Sequence, residues 1–162
     1  MLGVALFFIG AVLIVNGIGL TGRIEPRDSA LFNLLVGVLA LLLNVIGLLH
    51  ASATSDYFGA AGGLLFAFTY LYLAGVQWWG LKGVGLGWYC LFVAISALVY
   101  AALSFGSDVR VGVMWLLWAS LWFLFFLALG LQRSWRLLPA YTVIVGVVTC
   151  WVPGLLMLTG RW

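Results

Sequence analysis

Six apolar runs, separated by short polar connectors and free of ionisable residues near their centres, leave this 162-residue chain little choice of fold. They cover residues 2–20, 30–50, 58–79, 86–104, 111–131 and 138–158. Each has the roughly 20 residues that a helix needs to cross the hydrocarbon core of a bilayer. Only helices and closed barrels satisfy their backbone polar groups there. Alternating apolar and polar stretches between regular turns, the mark of a barrel, are missing. The sequence therefore predicts an all-α membrane protein, a six-transmembrane-helix bundle forming one domain over residues 1–162. Composition agrees, since the chain is 66% hydrophobic and 7% charged, against about a quarter charged in soluble domains. The first run does not read as a cleavable signal, because no positive residue precedes it and no small-residue cleavage site follows it cleanly.

The connectors fix an orientation. Connectors one, three and five carry Arg23, Arg27, Lys82, Arg133 and Arg136, while the other side holds only Arg110 and Arg161. The positive-inside rule then places connectors one, three and five in the cytoplasm and both termini outside. The net charge of +3 is thus a topology signal and not a sign of nucleic-acid binding. No connector is long enough to house a soluble domain.

The absences narrow the chemistry. Glu25, Asp28, Asp56, Asp108 and His50 all lie in connectors or at span ends. Ion-coupled carriers keep a titratable partner at membrane depth, so the pattern favours passive movement of a neutral solute over coupled pumping. One histidine supplies no metal cluster, and no acid or histidine is spaced to activate a buried serine, so neither metal, cofactor nor enzyme chemistry is expected. Gly83-x-Gly85-x-Gly87 follows no strand and reads as a flexible turn, not a phosphate cradle. Cys90 and Cys150 fall inside spans and read as small packing residues.

What remains is aromatic and uncharged. Trp115, Trp118 and Trp122 stand at i, i+3 and i+7, so a helix stacks them on one face. They climb about 10 Å along the axis, too far for all three rings to sit at the lipid headgroups where tryptophan usually lies. The ladder must therefore face packed protein or a slot used by solutes. Phe66 and Tyr70, at i and i+4, add a second aromatic rung ending in a hydroxyl. Asn16, with Leu6 and Leu13 on nearly the same face, would give a narrow passage one amide and apolar walls. Gly59, Gly62 and Gly63 would let a neighbouring helix approach closely. Asn33, Asn44, Thr69, Gln77, Ser96, Thr142 and Thr149 read as interhelical hydrogen-bonding groups. Two facing rings would admit a flat amide edge-on and exclude ions, whose hydration nothing in such a slot replaces. An aromatic stripe packed as ordinary protein surface is the competing reading of these residues.

Several blocks resemble the amide/urea channel family (the AmiS/UreI type). They include the start through Val-Leu-Ile-Val-Asn16-Gly17, Asn33 with Val36-Gly37, and Gly63-Leu-Leu-Phe66-Ala-Phe-Thr69-Tyr70-Leu-Tyr72. Trp88-Tyr89-Cys-Leu-Phe-Val-Ala-Ile95, Trp115-Leu-Leu-Trp118-Ala-Ser-Leu-Trp122 and Trp151-Val-Pro153 complete the pattern in order. The resemblance implies outside termini and a homohexamer with one pore per protomer. It implies pore-lining roles for Leu13, Asn16, Phe66, Tyr70, Trp118 and Trp122, with Leu6 and Trp115 nearby. Two departures stand out. Where family members commonly carry glutamate in span six, this chain has Val145. The longer, histidine- and acid-containing outer loops of acid-gated members are missing, so no acid gating is expected.

The expected protein is a passive channel for urea or short-chain aliphatic amides in a bacterial inner membrane, feeding a cytoplasmic urease or amidase. Its partners would be that solute, membrane lipid and further copies of itself, with no nucleic acid. A non-conducting membrane scaffold and a proton-coupled amide carrier are the alternatives.

Overall fold

The computed structural model describes residues 1–162. Helices α1 (Leu2–Gly19), α2 (Pro26–Leu49), α3 (Thr54–Trp79), α4 (Val84–Ser104) and α5 (Val109–Phe125) are followed by a π-helical turn, Phe126–Gly130. The last span is α6 (Leu138–Val145), a second π-helical segment (Gly146–Trp151) and α7 (Val152–Leu158). Six stretches are long and apolar enough to cross a membrane. All six expected spans are present, and four start two to four residues earlier than hydropathy suggested. Polar first turns explain the difference. Pro26 opens α2 without needing a backbone partner. The Asp56 carboxylate accepts from the Ser52 and Ala53 N–H groups at 3.0 Å each ahead of α3. The Asp108 carboxylate accepts from Arg110 N at 2.9 Å and so caps α5.

The glycine run at 83–87 differs from the sequence reading. Only Gly83 (φ +73°) belongs to the turn, together with Gly80 (φ +64°); Gly85 and Gly87 lie inside α4. Gly87 is there because α4 crosses the end of α5 backbone to backbone: any Cβ at 87 would run into Gly130. The same device joins α1 to the last span, where a Cβ at Gly10 would fall 2.5 Å from Trp151 N. In lipid, helices gain little hydrophobic energy from pairing, so close van der Waals approach between small residues does the holding.

Three helix pairs result: α1 with the last span, α2 with α3, and α4 with α5. Pro153 removes the donor that would serve the Thr149 carbonyl in a regular helix, and the π segment sits just before it. Tryptophans 115, 118 and 122 point inward and are at most 8% exposed. Aliphatic side chains such as Leu35, Leu42 and Ile46 of α2 remain outside, exposed for lipid or a neighbouring copy.

Candidate functional site

The interior holds two cavities at different depths. The larger, about 670 Å³, opens at the end where the termini lie, with Met1 and Met157 on its wall. The smaller, about 50 Å³, lies deeper toward the basic connectors. Of the eight residues singled out in the sequence, Leu6, Phe66, Trp115 and Trp118 line the large cavity. Leu13, Asn16, Tyr70 and Trp122 line the small one.

The cavities share no lining residue. Between them Phe66 meets Trp118 edge to face, with ring centroids 4.9 Å apart, and Trp122 at 4.6 Å. The expected open slot between facing rings is thus a closed ring cluster. Aromatic pairs prefer such tilted and edge-on contacts to parallel sandwiches, so three rings brought together at one level interlock.

Each indole N–H is taken up by a threonine on a different wall. Trp118 Nε1 donates to Thr149 Oγ1 of the last span at 2.7 Å. Trp122 Nε1 donates to Thr69 Oγ1 of α3 at 3.2 Å. The ring cluster therefore presents ring faces and edges, with the Trp118 and Trp122 N–H groups already satisfied.

The small cavity carries the polar handles. The Tyr70 hydroxyl has no protein partner, and Tyr70 is only 4% exposed. Asn16 and Asn33 form a reciprocal amide pair: Asn16 Nδ2 donates to Asn33 Oδ1 at 2.9 Å and Asn33 Nδ2 donates to Asn16 Oδ1 at 2.7 Å. Asn33 Nδ2 also donates to the Ser29 carbonyl at 2.9 Å. That carbonyl can only accept, which fixes the Asn33 amide and through it the Asn16 amide. One Asn16 N–H is left for the cavity. No Asp, Glu, Lys, Arg or His borders this space. Gln77 Oε1 lies 3.0 Å from Asn33 Nδ2, whose two protons it shares with the Asn16 and Ser29 oxygens.

The large cavity is walled by a stack unmarked in the sequence. Phe58 lies 4.1 Å from Tyr100 and Tyr100 lies 4.4 Å from Trp115, at interplanar angles of 19° and 22°. Tyr100 is pinned by donating to the Phe58 carbonyl at 2.7 Å. Gly62 makes room beneath it, since a Cβ there would fall 2.9 Å from Tyr100 Cε1. Gly63 faces Asn44 of α2, whereas Gly59 faces open space and brings no helix closer. His50 and Asp56 border the same cavity. His50 Nδ1 lies 2.8 Å from the Ile46 carbonyl. At the start of α5 the Arg110 side-chain hydrogen bond holds Asp108 below the usual carboxylate range, and Arg110 also covers the Trp162 ring at 4.3 Å.

Val145, the apolar residue in span six, is 2% exposed within the core and borders neither cavity. Its carbonyl accepts from Thr149 Oγ1 at 2.6 Å. Six helices long and apolar enough to cross a membrane, packed around two stacked cavities with a ring cluster between them, have the build of a membrane transport protein. Residues 1–161 match the AmiS/UreI family transporters, and the chain belongs to that family. It is 45% identical over 168 aligned positions to a Mycolicibacterium smegmatis protein named as an amidate substrates transporter, covering 99% of this chain and 78% of that one. It is 34% identical over 195 positions to the acid-activated urea channel of Helicobacter pylori, covering 100% of both. The crystal structure of the Helicobacter pylori urea channel superposes with a TM-score of 0.91 at 36% identity, over 100% of this chain and 99% of that one. The cryo-EM structure of that channel in its closed state gives 0.90 at 35% identity, over 100% of both.

Proposed function

We infer that the protein is a passive channel for urea or short-chain aliphatic amides, with the pore running inside each protomer from the large cavity to the small one. The observation that carries this reading is the pairing of a dry aromatic constriction, its indole N–H groups occupied, with a small chamber offering one free Asn16 N–H and the Tyr70 hydroxyl. A flat neutral amide exchanges water for those handles and for ring faces that weakly accept its N–H groups. An ion finds nothing there to replace its hydration. Leu6 and Leu13 keep the path dry. The names of the relatives point to the same solutes.

Passive flow is favoured because no Asp, Glu, Lys, Arg or His borders the small chamber, so a coupled proton has no ready carrier there. Five of the seven cations sit at the end away from the termini, which supports an inner-membrane orientation with both termini outside. A ring of six copies rests on the family likeness, and the single domain on the continuous bundle. In this reading the channel lacks acid gating: His50 and Asp56 are the imidazole and carboxylate side chains on the outer cavity, and each already engages nearby backbone. The alignment to the acid-activated channel spans 195 positions against 162 residues here, which fits a chain without that channel's full loops.

Stopped-flow light scattering on proteoliposomes tests this. Urea and acetamide uptake should exceed that of bare lipid, ignore a proton ionophore and stay flat from pH 5 to pH 7.5 (a range set by ordinary histidine titration). Uptake at the lipid rate would favour a non-conducting scaffold, and ionophore sensitivity a coupled carrier.

A further inference from the structure

The channel reading gives Trp118 and Trp122 the constriction, but it does not say what keeps two large rings, neighbours on one helix, on separate walls. We propose that Thr149 and Thr69 are positioning residues that tether Trp118 to the last span and Trp122 to α3, and so set the aperture of the constriction.

The two tethers have the same construction. Thr149 Oγ1 donates its proton to the Val145 carbonyl at 2.6 Å, and Thr69 Oγ1 donates to the Leu65 carbonyl at 2.7 Å, each four residues back on its own helix. With the proton spent, each oxygen presents only a lone pair outward. An indole N–H is donor-only, so it fits that lone pair and no rearrangement of the hydroxyl improves the match. Thr149 is 1% exposed and has no spare polar capacity for a solute. Its placement depends on the π segment Gly146–Trp151, which re-spaces the last span beside Pro153. Tyr89 donates to the same Leu65 carbonyl at 3.2 Å, bracing the Thr69 tether.

Two consequences follow for passage. The rings are drawn to different walls, because their anchors sit on different spans. Their N–H groups are also withheld from the path, so at the constriction the solute meets neither Trp118 nor Trp122 as a donor. An untethered indole, left with an unpaired N–H in an apolar setting, turns toward whatever acceptor it finds. The acceptor then on offer is the solute carbonyl.

The test uses Thr149→Val and Thr69→Val, which keep the shape and remove the acceptor, beside Thr149→Ser and Thr69→Ser, which keep it. Acetamide and glycerol permeabilities are measured in proteoliposomes. Ultraviolet resonance Raman difference spectra follow hydrogen bonding at the indole N–H groups. Each Val variant should shift the signal of one of the nine tryptophans toward unbonded. It should also reduce the acetamide-to-glycerol ratio by about tenfold, the equilibrium worth of one hydrogen bond. Each Ser variant should restore both readouts to near wild type. Val variants indistinguishable from wild type, or Ser variants as defective as Val, would overturn the proposal. The proposal rests on the channel reading, yet the two fail separately. If wild type carries no acetamide the channel reading falls, and an unshifted Val spectrum would still overturn the tethers.

Discussion

The outer and inner chambers, joined into one path in the proposed channel, are built from opposite materials. The outer one, about 670 Å³, is shaped by what is missing. Gly62 leaves the space beneath Tyr100, and the Phe58–Tyr100–Trp115 stack forms a flat apolar wall. The inner one, about 50 Å³, is shaped by what is fixed: an amide pair locked by the Ser29 carbonyl, and a tyrosine hydroxyl with no partner. A space of the first size discriminates poorly, since it holds a solute with its water. One of the second size has room for a few waters or one small planar molecule, so each polar group in it counts. In the proposed channel selectivity therefore belongs to the inner chamber and to the rings above it, while the outer chamber collects.

The division can be attacked first at the rings. Trp122→Ala removes the wall between the chambers, and glycerol, which the proposed channel excludes, should then enter about tenfold faster or more. The same change should cost about 3–5 kcal/mol of stability, as for other buried tryptophans. Light-scattering permeability and detergent thermal unfolding give the two values, and unchanged glycerol exclusion would break the comparison. Next comes the inner chamber. Asn33→Leu leaves the Asn16 amide without its partner, which costs about 1–3 kcal/mol, and it should slow acetamide several-fold while leaving glycerol excluded. A smaller effect is expected outside. Gly62→Ala needs only the edges of the Tyr100 and Trp115 rings to move, since those are its nearest neighbours at 2.9–3.2 Å. Acetamide flux should fall by less than about twofold, with selectivity intact, because the vestibule is not the filter.

The smallest effect concerns pH at the outer rim. Asp108 has its folded pKa below the ordinary 3.8 because of the Arg110 hydrogen bond. Its contribution to stability is full above that ordinary value and is lost only as pH falls through the lower folded value. Thermal stability should accordingly be flat from about pH 5 upward and decline only below about pH 4. Asp108→Asn should lessen that acid-side decline without altering uptake at neutral pH. The share of Asp56 remains, since its carboxyl is also held below its ordinary value by the Ser52 and Ala53 N–H groups.

Much of this architecture is legible in the sequence because the bilayer enforces a length and a polarity on each span. Residues 138–158 read correctly as one crossing even though a π segment interrupts it. That interruption is less legible: Pro153 hints at it, but the aim of Thr149 toward Trp118 depends on how α5 meets the last span. The eight candidate residues border the two cavities because Trp115, Trp118 and Trp122 share a helical face with no alternative partner in lipid. Phe58 and Tyr100 escaped notice because their stack joins α3 and α4 across 42 residues of sequence, and Gly62, read as a site of close helix approach, makes room for a ring instead. Periodicity within one helix carries no information about that contact. Asn33 and Asn16, 17 residues apart, were visible as polar groups in spans but not as a pair, since pairing depends on the angle at which α2 returns beside α1. The open slot expected from two facing rings gave way to a closed cluster for a simpler reason: Phe66 fills any gap that tilted tryptophans leave.

A shape series in proteoliposomes of the wild-type protein tests the central claim most directly. Formamide, acetamide and urea, all planar, would be compared with glycerol, a flexible polyol of similar size, by stopped-flow light scattering. The account predicts that the planar solutes cross well above the bare-lipid rate and that glycerol stays at that rate. Glycerol crossing as fast as acetamide, or no solute crossing faster than through lipid alone, would contradict it.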